Sequence, residues 1–504
     1  LDTSSSEEAR RDRLTILSGT GQNIVGLGAF VVATFATNVL ISRALGPSAL
    51  GTVTLATQFA FVMAAATRFG MDMAAVRLVA IDLGRGEPGR IRGVMARAVG
   101  IAAIVSLVVA IPVFVGAPAV AGLFGVPGRD GVAAFRAAAL ALSFAAIVQV
   151  YLGGTRGLKI MRHTLTIYWA GQPVGWIALM LVGWTLSRSV GMTVLAYAVS
   201  WIGAAAASWW VWERQTSPFG HLPPAPGTVR SLVKYGAPRA PAALLSQSLF
   251  WADYFVAALY VSPADLGVYA AALRVAQVIM LFLTAVNYMF SPFVADLHAR
   301  GERARLDDLY KSLTRWIVAG TIPLLLVVAI LPGTVLLMFG GVFDQGTTAL
   351  RILLVGQAVN VAVGSVGFIL IMVGRTGWDL SVYAASFVLE IGLAFALTPT
   401  FGINGAAVAQ AATMAFSNLL RLYLVWRFVR IQPFTAAYAR LAIPAAVGGV
   451  VMYGAHAVVG GAAWPVDLLV SGVVGTAAYA AALIPTGLTA GERRSLGRLA
   501  RRVG

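Results

Sequence analysis

The chain contains no cysteine, so disulfides, thiolate metal sites and cysteine nucleophiles are excluded. Charge is scarce as well: 11% of its 504 residues are charged, against about 25% in a soluble domain. Only four histidines occur, His163, His221, His298 and His456, and they are scattered without metal-ligand spacing. No Walker loop, GxSxG elbow or HExxH helix is present, so no recognisable ATP-hydrolysing or hydrolase machinery is encoded. No secretory signal is visible. The polar stretch 1–13 precedes an apolar run too long for a signal h-region, which reads as a retained first span.

What the chain does have is apolar length, with 59% of residues hydrophobic. Folding in water would expose too much of that surface, whereas lipid solvates it and helices satisfy their own backbone hydrogen bonds. A helix crosses the hydrocarbon core in about 20 residues. About fourteen such stretches are expected, at 14–42, 49–70, 94–115, 132–153, 165–186, 193–211, 231–260, 266–293, 313–339, 349–373, 381–399, 406–428, 441–459 and 466–484. The predicted fold class is an all-α polytopic membrane protein.

The net charge of +17 is explained by membrane topology rather than by nucleic acid, which would need a basic surface on a soluble domain. Of the 37 basic residues, 30 fall on the N-terminal tail, alternate connections and the C-terminal tail, and five fall on the opposite side. Arg68 and Arg274 remain inside spans. Lys and Arg concentrate on the cytoplasmic side, which places both termini in the cytoplasm of a multi-pass inner-membrane protein. In the C-terminal tail, Thr489-Ala-Gly-Glu492 fits a capping box. Leu496, Leu499 and Val503 then share a face among arginines. This tail is either a short helix on the anionic inner leaflet or an ordinary solvated segment.

An internal repeat organises the chain. Pro47, Leu50 and Gly51 recur at Pro263, Leu266 and Gly267, and Ala56 and Ala60 at Ala272 and Ala276, all offset by 216 residues. The same offset and span number argue for a duplicated six-span unit. The expected domains are an N-terminal lobe over 1–212, a C-terminal lobe over 213–430, and two further spans with a basic tail over 431–504. Both copies start outward from the cytoplasm, and two such parallel lobes normally enclose a central site.

The residues in this frame resemble a known family. They are Ile41-Ser-Arg-Ala-Leu-Gly-Pro-Ser-Ala-Leu-Gly51, Leu232-Val-Lys-Tyr-Gly-Ala-Pro238, Asp253, Leu266-Gly-Val-Tyr-Ala-Ala-Ala-Leu-Arg274, Ser291-Pro-Phe-Val-Ala295 and Phe401-Gly-Ile-Asn-Gly-Ala-Ala407. In order and spacing the chain resembles the polysaccharide transporters, the Wzx-type flippases of the multidrug/oligosaccharidyl-lipid/polysaccharide exporter superfamily. The resemblance implies two six-helix lobes in a V around a central cavity plus two C-terminal helices. It implies alternating access that moves an undecaprenyl-diphosphate-linked oligosaccharide from the inner to the outer leaflet of the cytoplasmic membrane. The product would feed surface polysaccharide such as lipopolysaccharide O-antigen. Membrane lipids are implied partners, polymerase and ligase proteins are open ones, and a monomer is the working expectation. No cofactor is implied, apart from a coupling proton or sodium ion.

A charge at mid-membrane costs at least a few kcal/mol and usually faces a cavity or a partner. Arg274, with Gln277 and Thr284 on roughly the same face, either holds a diphosphate or pairs with an acid to fasten helices. Its repeat mate is Gln58. Asp253 is either a coupling site for a proton or sodium, or the structural partner of Arg274. Arg68 and Asp72 are four apart at the end of the second span, neighbours if the helix continues; Arg68 is also a candidate phosphate contact. Glu390, the only acid of 381–399, is either a protonatable coupling group or a neutral buried acid. Gln22, Asn23 and Asn38 either meet sugar hydroxyls or join helices by hydrogen bonds.

Three rivals remain. A membrane polymerase or ligase would need a sizeable external loop with catalytic side chains, but the longest outside connection, 116–131, carries Asp130 as its one acid. A multidrug/cation antiporter has different loop and repeat patterns. A lipid II flippase carries a run of arginines in its first span that is not seen here.

Overall fold

The computed structural model describes residues 2–488, with side chains except those at 2–25, 27, 242, 285, 288, 289, 291 and 292. The expected tail helix at 489–503, and the side chains of Gln22 and Asn23, lie outside the described residues. Among the described residues all regular structure is helical and there is no strand. It divides into two compact units, Leu1–Ala270 and Ala271–Gly504.

The first unit contains α1 (Asp2–Thr67), α2 (Met71–Gly84), α3 (Ile91–Val115), α4 (Ala117–Leu123), α5 (Arg129–Gly157), a π-helical segment (Thr164–Gly171), α6 (Gln172–Leu186) and α7 (Val190–Thr216). Three short helices follow, α8 (Thr228–Gly236), α9 (Arg239–Ser248) and α10 (Ala252–Ala257), then α11 (Pro263–Val278), which runs across the division. The second unit adds α12 (Met280–Ala299), α13 (Arg303–Ile330), α14 (Pro332–Leu336), α15 (Thr347–Val363), α16 (Val366–Met372), α17 (Thr376–Phe401) and α18 (Ile403–Val429). It ends with α19 (Ala436–Ala439), α20 (Ala442–Val459) and α21 (Trp464–Ala482).

Ten helical segments among the described residues are long and apolar enough to cross a membrane. The expected number was fourteen. One of the ten, Gly28–Thr67, overlaps both of the first two predicted spans, which form the single helix α1 with a kink at Gly46 (φ 83°) before Pro47. Predicted span 231–260 is not one helix: it breaks into α8, α9 and α10, the first break falling at Ala237–Pro238, where proline cannot donate to the helix ladder. Predicted span 266–293 breaks at Ile279 into α11 and α12. Predicted span 406–428 is the continuous α18, which is not among the ten.

Composition follows position. An 18-residue apolar stretch of the segment ending in α3 has mean hydropathy 2.8 and is 22% buried, whereas that of α5 has 1.9 and is 67% buried. Lipid-facing surface must be apolar. A helix surrounded by protein can instead use small residues for close approach. Alanine dominates the buried face of α5 (Ala134, Ala138, Ala141, Ala145), which packs against α1, α2, α3 and α7.

The repeated motif meets itself inside the first unit. A Cβ on Gly51 would lie 2.2 Å from the Pro263 carbonyl oxygen, and a Cβ on Gly267 would lie 1.9 Å from that of Pro47. Each copy thus contacts the other through the equivalent residue, the reciprocal pattern of a local two-fold crossing. Tyr254 Oη donates to Gly51 O at 3.0 Å, and its ring stacks on Tyr269 with centroids 6.2 Å apart.

In the second unit, α15 stops at Gly364 (φ 67°), which frees carbonyls that lipid cannot satisfy. Two tyrosines supply the missing donors: Tyr310 Oη to Val363 O at 2.7 Å and Tyr438 Oη to Ala362 O at 3.1 Å. Tyr310→Phe should destabilise this unit by about 1–3 kcal/mol, the cost of leaving a buried acceptor unpaired; an unchanged melting temperature in detergent would show the bond contributes nothing. The last two helices dock on the same unit. Tyr479 Oη donates to Ala319 O on α13 at 2.7 Å. Asp467 accepts from Thr334 Oγ1 at 2.7 Å and from Ser471 Oγ at 3.0 Å, and pairs with His456 Nδ1 at 2.8 Å.

Two arginines counted by topology as loop charges are structural. Arg315 is 6% exposed and donates to the carbonyl oxygens of Ala437 (3.2 Å) and Gly487. Arg421 is 7% exposed and pairs with Asp379 at 2.8 Å.

Candidate functional site: a cationic cavity in the first unit

Arg68 stands where α1 ends. Its backbone N–H still donates to Ala64 O at 3.1 Å, after which Phe69 (φ 53°) and Gly70 (φ 69°) turn the chain into α2. The helix does not continue from Arg68 to Asp72. The left-handed turn nevertheless returns Asp72 to the guanidinium, with Nε and Oδ2 3.6 Å apart and side chains 19% and 10% exposed. The first turn of α2 rests on α5. A Cβ on Gly153 would lie 2.4 Å from Asp72 O, so this approach needs glycine.

Gln149 and Arg156 are seven residues apart on α5 and share one of its faces. Gln149 joins Arg68, Tyr168, Trp201 and Gln247 around a cavity of about 40 Å³, room for a water or a single small polar group. Arg156 is within electrostatic reach of Arg68, Asp72 and Tyr168. Arg68 Nε, Arg156 Nε and Trp201 Nε1 are buried and have no acceptor among the described residues. Arg68 pairs with Asp72 while Arg156 only feels its charge from beyond ion-pairing distance, so two guanidiniums near one carboxylate leave a net positive site with unused N–H donors. Charge-assisted and bidentate bonds from arginine match the oxygens of a phosphate or diphosphate.

Sequence reasoning singled out Arg68 but counted Arg156 as one more cytoplasmic-side charge. The available signal was its position two turns beyond Gln149, on the same face of α5.

The remaining candidates separate. Arg274 lies in the second unit, where its Nη1 donates to Gln277 Oε1 at 3.1 Å. Thr284 returns its hydroxyl to Met280 O on its own helix at 2.8 Å. Gln58 is half-buried on α1, and buried Asn38 donates to Thr34 O at 2.7 Å, again within its own helix. Asp253 is fully buried and accepts a hydrogen bond from Tyr269 Oη beside the Gly51–Gly267 crossing. Glu390 is 1% exposed, on the buried face of α17 with Ser386, Ala394 and Thr398.

Comparison with known proteins places this geometry in context. The family model described as "Polysaccharide biosynthesis protein" matches residues 16–298. Two curated relatives from Haloferax volcanii are similar over part of their length. One, named a probable low-salt glycan biosynthesis flippase, is 25% identical over 207 residues, 40% of this chain and 43% of the relative. The other, named a probable flippase, is 24% identical over 218 residues, 42% of this chain and 45% of the relative. The chain therefore spans under half the length of the curated relatives it matches.

Among solved structures, the lipid II flippase MurJ in an inward closed conformation aligns over 91% of this chain and 96% of its own, with a TM-score of 0.71 and 12% identity. An inward-facing multidrug resistance MATE transporter of the MOP superfamily aligns over 80% and 94%, with a TM-score of 0.64 and 16% identity. At such identities the likeness concerns the fold. With more than half of its length matched, the chain belongs to the polysaccharide biosynthesis protein family and is a multi-pass membrane protein with the helical fold of MOP-superfamily transporters.

Proposed function

We propose that this protein is a flippase for an undecaprenyl-diphosphate-linked oligosaccharide, moving it from the inner to the outer leaflet of the cytoplasmic membrane by alternating access. The observation that carries the reading is the Arg68–Asp72 ion pair with the Arg156 guanidinium within electrostatic reach, two cations near one carboxylate beside a small cavity. Membership of a polysaccharide biosynthesis family and the flippase names of two relatives support the same direction. The diphosphate is the one strongly anionic part of such a lipid. The arginines capture it when the cavity, about 40 Å³ in this state, widens during the cycle; Gln149 and Gln247 offer hydrogen bonds to its polar surroundings, and the prenyl chain stays in lipid. Transport requires that the site bind differently in the inward and outward states, since equal affinity shifts no equilibrium.

Reconstitution in liposomes with a fluorescent undecaprenyl-diphosphate oligosaccharide tests the reading by leaflet transfer. Each of Arg68→Gln and Arg156→Gln removes a charge-assisted bond of about 1.5–3 kcal/mol, so apparent affinity should fall roughly 10- to 100-fold. Transfer by wild type that neither substitution alters would remove this cavity from the mechanism. No transfer of several such lipids, together with uptake of organic cations, would overturn the flippase reading in favour of an antiporter.

A further inference from the structure

A second cationic site lies on the flank of the first unit, outside the cavity. Arg162 and His163, at the start of the π-helical segment, face Trp210, Val211, Arg214 and Gln215 on the last turns of α7 across a cleft of about 360 Å³. Both arginines are exposed, and among the described residues neither has a carboxylate within ion-pairing distance. Glu213, the acid beside Arg214, is engaged by Arg92 instead. The Arg214 guanidinium stands over the Trp210 ring, 5.4 Å from its centroid. Arg162 Nε donates to His163 Nε2 at 3.3 Å, which leaves its terminal N–H groups unused. Burial and the neighbouring Arg162 charge hold the His163 pKa below its ordinary value, so the ring serves as a neutral hydrogen-bonding group.

Position and chemistry agree. Trp209 and Trp210 are 54% and 56% exposed, and indole rings favour the depth of lipid headgroups. Arginine stems lie along apolar surface while their heads reach the same level. The cleft is at the end of the helices where basic residues concentrate, the side on which anionic lipids attract basic side chains. Two unpaired guanidiniums above an interfacial tryptophan form a receptor for a phosphate group presented at the membrane surface.

We propose that the Arg162–Arg214 cleft binds the phosphate of an anionic lipid headgroup in the adjoining leaflet. This site is separate from the cavity lined by Arg68 and Gln149, and its occupancy does not depend on the transport reading. The two are connected through one short segment, since the π-helical stretch that begins beside His163 carries Tyr168, which lines the cavity.

The full-length protein, purified in mild detergent and offered phosphatidylglycerol, phosphatidylcholine, undecaprenyl phosphate or inorganic phosphate, is assayed by native mass spectrometry for retained ligand. Wild type should retain phosphatidylglycerol over phosphatidylcholine. Arg162→Gln/Arg214→Gln should retain roughly ten-fold less or lower still. Arg230→Gln/Arg440→Gln, which removes the same charge from exposed positions elsewhere, should behave as wild type. Trp210→Ala, with no charge change, should give an intermediate loss. Preference for undecaprenyl phosphate, lost in the same variant, would support the site and make the carrier lipid its occupant. Equal retention by both double variants, or equal loss from both, would overturn it. Displacement of the lipid by inorganic phosphate alone would overturn the lipid assignment.

Discussion

Replacing Asp379 with alanine is expected to destabilise the second unit by about 3–5 kcal/mol, because it strands a buried arginine. Arg421 Nε lies 2.8 Å from Asp379 Oδ1, and its Nη1 donates to Ser417 Oγ. The guanidinium also covers the Tyr383 ring, 4.5 Å from its centroid. These groups join α17 to α18 with side chains only 9% and 10% exposed, so the surviving charge would have little substitute solvation. Removing both charges with volume-matched apolar residues, as in Asp379→Leu/Arg421→Met, should be far milder than either single change. Thermal melting of the purified single and double variants gives the cycle. A double variant as damaged as the sum of the singles would show that the two residues act independently, against the pairing described.

The Gly51–Gly267 crossing should show the opposite kind of sensitivity, to added volume. Gly267→Val places a branched side chain where even a Cβ would lie 1.9 Å from Pro47 O. Overpacking costs about 1–3 kcal/mol where side chains can yield, and more is expected here because the obstacle is backbone. Gly51→Val should be comparable, since its Cβ would meet Pro263 O at 2.2 Å. The reciprocal geometry makes the pair non-additive: once one valine has parted the segments, the second meets less resistance. Gly100→Val on α3, with open space at its Cβ, is the control and should fold normally. Expression and melting temperature decide it. Additive losses from the two valines, or losses matched by Gly100→Val, would show that the crossing is not a tight contact.

The candidate site was half legible. Arg68 and Asp72 stood out because a mid-span charge with an acid four residues on is conspicuous in an apolar sequence. The condition set for their contact, a continuing helix, is not met, yet the contact forms because a left-handed turn at Phe69 and Gly70 joins them. Arg156, Arg315 and Arg421 were concealed by the topology argument that placed the other basic residues. A charge near the cytoplasmic end of a span already has an explanation, so nothing local marks the one that turns inward. Asp253 shows the converse. Its burial was foreseeable, but the hydroxyl it receives belongs to Tyr269, and nothing in the spacing distinguishes that tyrosine from others nearby.

Sequence by itself determined the solvent, the helical class, the approximate positions of the spans and the existence of a repeat. Each depends on composition or periodicity within one segment, or on matching one segment with another, and lipid imposes those requirements residue by residue. Tertiary structure alone decided where helices break and which charges pair. The breaks at Ala237–Pro238 and Gly364 persist because neighbouring groups fit or satisfy them, as Tyr310 and Tyr438 do for the carbonyls before Gly364. Arg421 finds Asp379 across 42 residues, and Gly51 meets Gly267 because two distant copies of one motif cross back to back. Such contacts depend on the whole path of the chain between the partners, and no local pattern encodes that path.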